Sequence, residues 1–279
     1  MRKKTKSVLQ IVLILFSVVM LLPVVLTMLF SFFAPEMAEQ LLLQGSTVQM
    51  HSAAVRLQPS TAQYVEVLFS SDGYLRRFFL SAYYTMMILI GQAAFVPSLA
   101  YALSAFRFRS KGLIWRMLML LMLLPFQVTM VPNLIVMRFL HLSDTAWAVI
   151  LPTWFSPFFI FLIRQQMITI PQDMYEAAQL DGCGPIRCYI HVALPLSKPA
   201  LCAAFILSFA QYWNMVEQPV AFLSHRSEMQ PLSVVLGRLS DTVTGIEFAG
   251  SVIYLLPALL LYLVFLPDII NGIQISCQK

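Results

Sequence analysis

Charged side chains are scarce in this chain of 279 residues: Asp, Glu, Lys and Arg together make up only 11% of it. A soluble globular domain contains about a quarter charged residues and about half apolar ones. Here 59% of the residues are hydrophobic, and the mean hydropathy is +0.78. This composition excludes an ordinary soluble domain and places the chain in a lipid bilayer.

The few charges leave six long stretches without any Asp, Glu, Lys or Arg. A helix that crosses a bilayer needs roughly 20 apolar residues, and each stretch is close to that length. Transmembrane β-strands would instead show segments of about ten residues with alternating polarity, which the sequence lacks. We therefore predict an all-α, polytopic membrane protein with six transmembrane helices. The charge-free stretches are residues 7–35, 78–106, 117–137, 145–163, 199–216 and 248–267.

Lys and Arg concentrate in every second connection between these stretches. Loops rich in Lys and Arg stay in the cytoplasm. With the N-terminus inside, twelve of the eighteen Lys and Arg lie on the inner side, so we expect both termini to be cytoplasmic. The same bias accounts for most of the net charge of +5, and no nucleic-acid partner is expected. The apolar run from Val8 is longer than the roughly 7–15 residues of a signal peptide and is interpreted as a retained span.

These spans and loops predict a multi-pass membrane protein, surrounded by membrane lipid. We expect a cytoplasmic loop at residues 165–199 within its core. The predicted segments are an N-terminal transmembrane helix in 1–34, an extracytoplasmic loop in 35–77, a five-helix core in 78–270 and a cytoplasmic tail in 271–279.

Catalytic and energy-converting motifs are missing. The chain has no Gly-x-x-x-x-Gly-Lys-Ser/Thr loop for ATP, no His-Glu-x-x-His and no Gly-x-Ser-x-Gly. No Asp, Glu, Lys, Arg or His stands in the middle of a predicted span, where proton-coupled carriers need an ionisable group. Cys183, Cys188 and His191 have only a loose metal-like spacing and lack a fourth ligand. We expect no enzyme activity, catalytic residue, cofactor, metal or disulfide. We also expect the energy for any transport to come from outside the chain.

Neutral polar side chains do enter the predicted spans. They could line a path for a hydroxyl-rich solute by hydrogen bonding. They could equally hold helices together, since an interhelical polar pair in a membrane contributes about 0.6–2 kcal/mol. Both interpretations stay open for each residue. The candidates for lining the path are Gln92, Gln127, Asn133, Gln211 and Asn214.

The predicted cytoplasmic loop reads as two short helices. We expect Asp173 to cap the first helix in a capping box with Glu176, and Gly182 to end it in a left-handed conformation. Pro185 fits the first turn of the second helix, which Pro195 is expected to close. Isolated helices shorter than about 12–15 residues are marginal, so the first helix needs a docking surface. That surface is either a partner or the membrane part of the chain itself.

Three groups of residues in this loop resemble the E-A-A…G…L-P signature of ABC-importer permeases: Glu176-Ala177-Ala178, Asp181-Gly182 and Leu194-Pro195. The resemblance extends from about Phe78 through the sixth span and is closest to the sugar class, the maltose-type permeases. Cys183 stands where alanine is usual, and Tyr189 where phenylalanine is common. Softer similarity lies in Leu124-Pro125-Phe126-Gln127-Val128-Thr129, Leu142-Ser143-Asp144-Thr145 and Tyr212-Trp213-Asn214.

The resemblance implies an importer of the bacterial plasma (inner) membrane. Its parts are two homologous permease subunits, a cytoplasmic ABC ATPase dimer and an extracytoplasmic solute-binding protein that delivers a sugar or oligosaccharide. Closure of the ATPase dimer would reach the transport cavity through the loop. Alternatives are the same machinery for a polyol, glycerol phosphate or peptide, a stand-alone carrier or channel, and a non-transporting scaffold or sensor. The resemblance assigns ATPase coupling to Glu176, Ala177, Ala178, Asp181, Gly182 and Pro195.

Overall fold

A computed structural model describes residues 2–33, 59–70, 73–239 and 247–277. Throughout these ranges the backbone is helical or lies in turns and loops, without a strand. This confirms the all-α prediction. Most of the predicted outer loop 35–77 lies outside the described residues. Two compact units are present, one made of Met1–Arg76 with Leu236–Pro257 and the other of Arg77–Val235 with Ala258–Lys279.

The helices are numbered in chain order. A π-helical turn at Glu66–Ser70 follows α2, and a second one at Tyr189–Ala193 lies inside α9. The helices are α1 Arg2–Phe30, α2 Ala62–Val65, α3 Tyr74–Ala105, α4 Lys111–Leu123, α5 Phe126–Phe139, α6 Ala146–Thr153, α7 Pro157–Met167, α8 Gln172–Leu180, α9 Pro185–Leu196, α10 Lys198–Trp213, α11 Glu217–Phe222, α12 Leu232–Leu239 and α13 Glu247–Cys277.

Within the described residues, four helical stretches are long and apolar enough to cross a bilayer, and two bent pairs could supply one span each. The pair α4 and α5 bends by 110°, and the pair α9 and α10 by 76°. The polytopic prediction is confirmed. The six predicted spans agree with the four single spans plus one crossing by each of the two bent pairs. The cytoplasmic location of both termini stays a prediction. The four single spans are Leu9–Phe30, Tyr74–Ala105, Ala146–Met167 and Glu247–Pro267.

In the first unit, α1 is apolar on all sides, and every residue from Leu9 to Leu26 is exposed. A helix that is hydrophobic all round is suited to lipid contact. Its C-terminal end is fixed by polar contacts: Gln63 Nε2 donates to the carbonyl of Phe30 at 2.9 Å, and the hydroxyls of Ser31 and Tyr64 lie 2.8 Å apart. The first unit therefore fixes the C-terminal end of α1. The exposed apolar side chains along the rest of the helix are suited to contact with lipid.

Proline determines where the α4–α5 pair breaks. Leu124 is extended (φ −75°, ψ 128°), as expected for a residue that precedes a proline, and Pro125 itself is extended (φ −67°, ψ 152°). The missing N–H of Pro125 and its ring prevent α4 from continuing. The break leaves Phe126 and Gln127 in the first turn of α5.

The core of the second unit is apolar and fully enclosed. Tyr84 and Ile88 of α3, Ile150 of α6 and Ile160 of α7 each have no exposed surface. Gly91 lies against the Trp154 ring so closely that any side chain at this position would overlap it. These contacts fix α3, α6 and α7 as the frame that carries the loop formed by α8 and α9.

Two cations cap the C-terminal end of α3. Lys111 Nζ donates to the carbonyls of Ser104 at 3.1 Å and Phe106 at 2.8 Å, and Arg164 Nε donates to the carbonyl of Leu103 at 3.1 Å. The last carbonyls of a helix lack intrahelical partners and carry partial negative charge, so cations stabilise them. This capped end of α3 is the part of the frame that the loop contacts.

Candidate functional site

The first candidate site is the loop formed by α8, the turn at Gly182 and α9. Among the six residues assigned to ATPase coupling, only Ala178 is half-buried, whereas Glu176, Ala177, Asp181, Gly182 and Pro195 are exposed. Large apolar side chains are also exposed here: Leu180 is 89% exposed and Ile186 75%. The loop therefore presents acidic and apolar side chains together on an open surface.

The turn between α8 and α9 is a Schellman motif. The N–H of Cys183 donates to the carbonyl of Ala178 at 2.9 Å, and the N–H of Gly182 donates to that of Gln179 at 3.0 Å. Gly182 has φ +78°, in the left-handed region that favours glycine. A Cβ atom at Gly182 would meet no atom within 4 Å, so only the backbone conformation requires glycine. The predicted left-handed stop is confirmed.

Two details of the loop differ from the sequence prediction. Asp173 does not cap α8, because Pro171 takes the N-cap position and Asp173 lies within the first turn, without a side-chain capping bond. Its charge still suits the N-terminal end of the helix. Pro195 does not close α9, which continues to Leu196. The wider π-helical turn directly before Pro195 relieves the clash between its ring and the preceding helical turn.

Three tyrosines attach the loop to the end of α3, and we call them the tyrosine cluster: Tyr101, Tyr175 and Tyr189. The Tyr101 ring centroid lies 6.4 Å from that of Tyr175 and 5.2 Å from that of Tyr189. The Tyr101 hydroxyl donates to the carbonyl of Pro185 at 3.2 Å. Tyr175 is the only residue of α8 that is buried, and the half-buried Ala178 also packs against the core, so few side chains anchor this helix.

Burial raises the pKa of Tyr175 to about 12, and the neighbouring Tyr101 and Cys188 shift it in the same direction. The phenol therefore stays neutral at physiological pH. Its hydroxyl is buried and has no hydrogen-bond partner in the described part of the chain. The ring, rather than the hydroxyl, makes the contacts that hold α8.

The candidate path residues lie in different environments. Gln92 lies in the core, where its side chain has a structural role. Its Nε2 donates to the carbonyl of Thr153 at 2.7 Å and to the Tyr212 hydroxyl at 3.1 Å. Its Oε1 accepts a hydrogen bond from the Ser208 hydroxyl. Gln92 is 6% exposed, so these bonds join α3, α6 and α10 inside the core. The geometry favours the interpretation that Gln92 holds helices together.

Replacing Gln92 by leucine should therefore lower stability without altering solute preference. Gln92→Leu removes three bonds and leaves the Ser208 and Tyr212 hydroxyls without this partner. We expect the free energy of unfolding to fall by about 1–2 kcal/mol. The measurement is thermal unfolding in detergent. Ser98→Ala is the control, because Ser98 bonds only within its own helix. Unchanged stability with weakened solute binding would instead place Gln92 in the path.

A second candidate site contains three of the predicted path residues close to a carboxylate that the sequence did not indicate. We call it the Glu217 pocket, a cavity of about 430 Å³ at the end of α10. Gln127 Nε2 lies 3.1 Å from both carboxylate oxygens of Glu217. Its lining residues are Phe126, Gln211, Tyr212, Asn214, Met215, Val216, Glu217 and Gln218.

Asn133 does not belong to this group, since it is half-buried farther along α5 and does not line the pocket. The sequence did not indicate Glu217 as a path residue. Its charge ends a charge-free stretch, so the residue was expected in a loop. Its position three residues after Asn214 was the available signal. The structure thus unites Gln127, Gln211 and Asn214 and separates them from Gln92 and Asn133.

Comparison with known proteins adds independent evidence. Residues 98–267 match the family described as "Binding-protein-dependent transport system inner membrane component". The arabinooligosaccharides transport system permease protein AraQ of Bacillus subtilis (strain 168) is 29% identical over 209 residues, 74% of each chain. Protein LplC of the same organism is 30% identical over 230 residues, 76% of this chain and 77% of LplC.

The sn-glycerol-3-phosphate transport system permease protein UgpE of Yersinia pestis bv. Antiqua (strain Antiqua) is 28% identical over 190 residues, 67% of this chain and 68% of UgpE. A chain in the crystal structure of a bacterial ABC transporter involved in the import of the acidic polysaccharide alginate superposes with a TM-score of 0.78. The match covers 95% of this chain and 96% of that one at 23% identity, and it supports the fold.

These matches confirm the resemblance to ABC-importer permeases of the sugar class, the multi-pass location in a bacterial inner membrane and a role in transport rather than catalysis. The matched residues include all of the loop at residues 165–199 and the Glu217 pocket. The chain belongs to the family of binding-protein-dependent transport system inner membrane components and is the permease subunit of an ABC importer.

Proposed function

We propose that this permease forms half of the translocation path for a sugar or oligosaccharide and that its loop from Glu176 to Pro195 receives the drive from a cytoplasmic ATPase. One observation carries the proposal: α8 is a nine-residue helix held mainly through the buried Tyr175, and most of its other residues are exposed. Nine residues are too few for a stable isolated helix. A helix held by so few contacts leaves an exposed face that a partner can cover.

The chemistry of that face indicates the kind of partner. Leu180 is almost fully exposed beside Asp181, and Glu176 lies one turn earlier on the same helix. A cleft with apolar walls and a basic rim would bury Leu180 and pair the two carboxylates. We propose that one subunit of a cytoplasmic ABC ATPase dimer provides this cleft and that Ala177 and Ala178 allow close approach.

Two further partners complete the proposed importer. A second homologous permease subunit forms the other half of the path, and an extracytoplasmic solute-binding protein delivers the cargo. The family description, binding-protein-dependent transport, supports the latter. AraQ is named for arabinooligosaccharides and UgpE for sn-glycerol 3-phosphate, so a glycerol phosphate is the alternative cargo.

Co-purification tests the docking surface. The variant Leu180→Gln keeps a residue that favours helix but removes an apolar side chain, whose full burial contributes about 1.5–3 kcal/mol. We expect it to weaken ATPase binding about tenfold or more while the second permease stays attached. The measurement is the amount of each subunit retained by tagged permease from native membranes.

Phe108→Gln is the matched control, because Phe108 is exposed on the connector between α3 and α4 rather than on the loop. It should retain both partners. Full ATPase retention by Leu180→Gln would refute docking at α8. Solute transport by the purified chain alone would refute the need for an external ATPase.

A further inference from the structure

We propose that the Glu217 pocket selects uncharged, hydroxyl-rich solutes and rejects anionic ones, with Glu217 as the specificity-determining residue. This inference rests on the proposed function, because it treats the pocket as part of the solute path. The pocket volume of about 430 Å³ lies within the range of small-molecule sites.

The side chains around the pocket match the hydrogen-bonding capacity of a sugar. Gln211, Asn214 and Gln218 supply amides, each of which can donate and accept, as a hydroxyl group also can. Phe126 and Tyr212 add aromatic rings, whose apolar faces suit the C–H faces of a sugar ring.

The carboxylate of Glu217 adds a charge to this neutral lining. An ionised carboxylate only accepts hydrogen bonds and has about four acceptor positions. Gln127 Nε2 approaches both oxygens at 3.1 Å and has at most two protons to donate, so positions remain for solute hydroxyls. Hydroxyls can donate to Glu217, whereas a phosphate or carboxylate on the solute cannot.

The charge is also uncompensated at the pocket wall. Among the described residues that line the pocket, none is Lys, Arg or His. At an effective dielectric constant of about 20, two like charges about 5 Å apart repel strongly enough to weaken binding by roughly a few hundredfold. An anionic solute would meet this repulsion without a cation to offset it.

Chain breaks fix the position of the carboxylate. Gln127 lies in the first turn of α5 because Pro125 ends the preceding helical segment, and Glu217 is the first residue of α11. The residues are 90 positions apart in sequence, and their side chains meet only because both helices begin at this site. The Gln127 amide therefore positions Glu217 toward the pocket without neutralising its charge.

This selectivity separates the cargo classes named among the similar proteins. Arabinooligosaccharides, the cargo named for AraQ, are neutral. The sn-glycerol 3-phosphate named for UgpE and the acidic alginate of the similar structure are anionic. A pocket with Glu217 favours the first class for this permease.

Equilibrium binding of labelled probes tests the inference. The assembled importer is purified without its solute-binding protein and without nucleotide, so that neither affects selectivity. The probes are arabinotriose, maltotriose and cellotriose as neutral solutes, and an alginate trisaccharide and sn-glycerol 3-phosphate as anionic ones. We expect the best neutral probe to bind at least about tenfold more tightly than either anion.

Glu217→Gln should raise the affinity for the anionic probes about tenfold or more and change neutral binding less than about threefold. Glu217→Lys should reverse the preference, and Ser98→Ala, outside the pocket and bonded only within its own helix, should match the wild type. Unchanged anion rejection in Glu217→Gln would overturn the inference. Failure of the wild type to bind any neutral probe would overturn it as well.

The proposed function can fail separately. Loss of charge selectivity in this binding experiment would leave ATPase docking at α8 untouched, because neither nucleotide nor coupling enters the measurement. Conversely, ATPase retention by Leu180→Gln would refute the docking surface without affecting probe binding. The two sets of results therefore identify which of the two ideas is wrong.

Discussion

Gly182→Val is expected to reduce ATP-driven uptake about tenfold or more while the chain stays inserted in the membrane. Gly182 has φ +78°, and a β-branched residue is strained in that region by roughly 1–3 kcal/mol. Relief of this strain breaks the Schellman bonds from Cys183 and Gly182 and changes the angle between α8 and α9. Uptake and ATP hydrolysis in proteoliposomes measure the effect, with hydrolysis expected to persist.

Gly184→Val is the matched control, two residues away. Gly184 has φ −69° and ψ 170°, an extended conformation that valine adopts readily before a proline. A Cβ at either glycine meets no atom within 4 Å, so crowding does not distinguish the two positions. Gly184→Val should keep at least half of the uptake. Equal losses in both variants, or normal uptake by Gly182→Val, would contradict a role of the left-handed turn in coupling.

Tyr175→Ala is expected to uncouple the importer, lowering the amount of solute carried for each ATP hydrolysed by more than about tenfold. Truncating a buried aromatic side chain to alanine costs about 3–5 kcal/mol. Here the loss falls on the attachment of α8 to the end of α3, since Tyr175 is the only buried residue of α8. A helix that moves independently of α3 cannot transmit ATPase closure to the spans. The ratio of uptake to hydrolysis in proteoliposomes is the measurement.

Tyr175→Phe should restore coupling, because the ring makes the contact with Tyr101 and the hydroxyl has no partner in the described part of the chain. With the pKa of Tyr175 raised to about 12, the phenol is neutral over the usual assay range, so both proteins should show the same pH profile. Tyr262→Ala, at an exposed tyrosine of α13, controls for general effects of truncation. A normal uptake ratio in Tyr175→Ala would show that α8 needs no such anchor.

Features that depend on residues close in sequence were predictable. The scarcity of charge predicted the helical membrane spans, because no partner is needed to decide that a long apolar helix favours lipid. Gly182 and Pro185 marked the turn between the two loop helices, since the preference of glycine for positive φ and the fixed φ of proline are local properties. The same reasoning failed where neighbours intervened, as with Asp173, displaced from the cap by Pro171, and Pro195, accommodated by a π-helical turn.

The sequence by itself determined that this chain is helical, lies in the membrane and carries a short loop helix that needs a docking surface. It could not distinguish the role of Gln92 from that of Gln127, because both are glutamines in similar apolar stretches. Their hydrogen-bond partners lie 61 to 120 positions away in sequence, and only tertiary packing brings them together. Packing encloses Gln92 among three helices, while it places Gln127 beside Glu217 at an open pocket. Tertiary structure therefore decided that Gln92 joins buried helices while Gln127 contacts an exposed carboxylate.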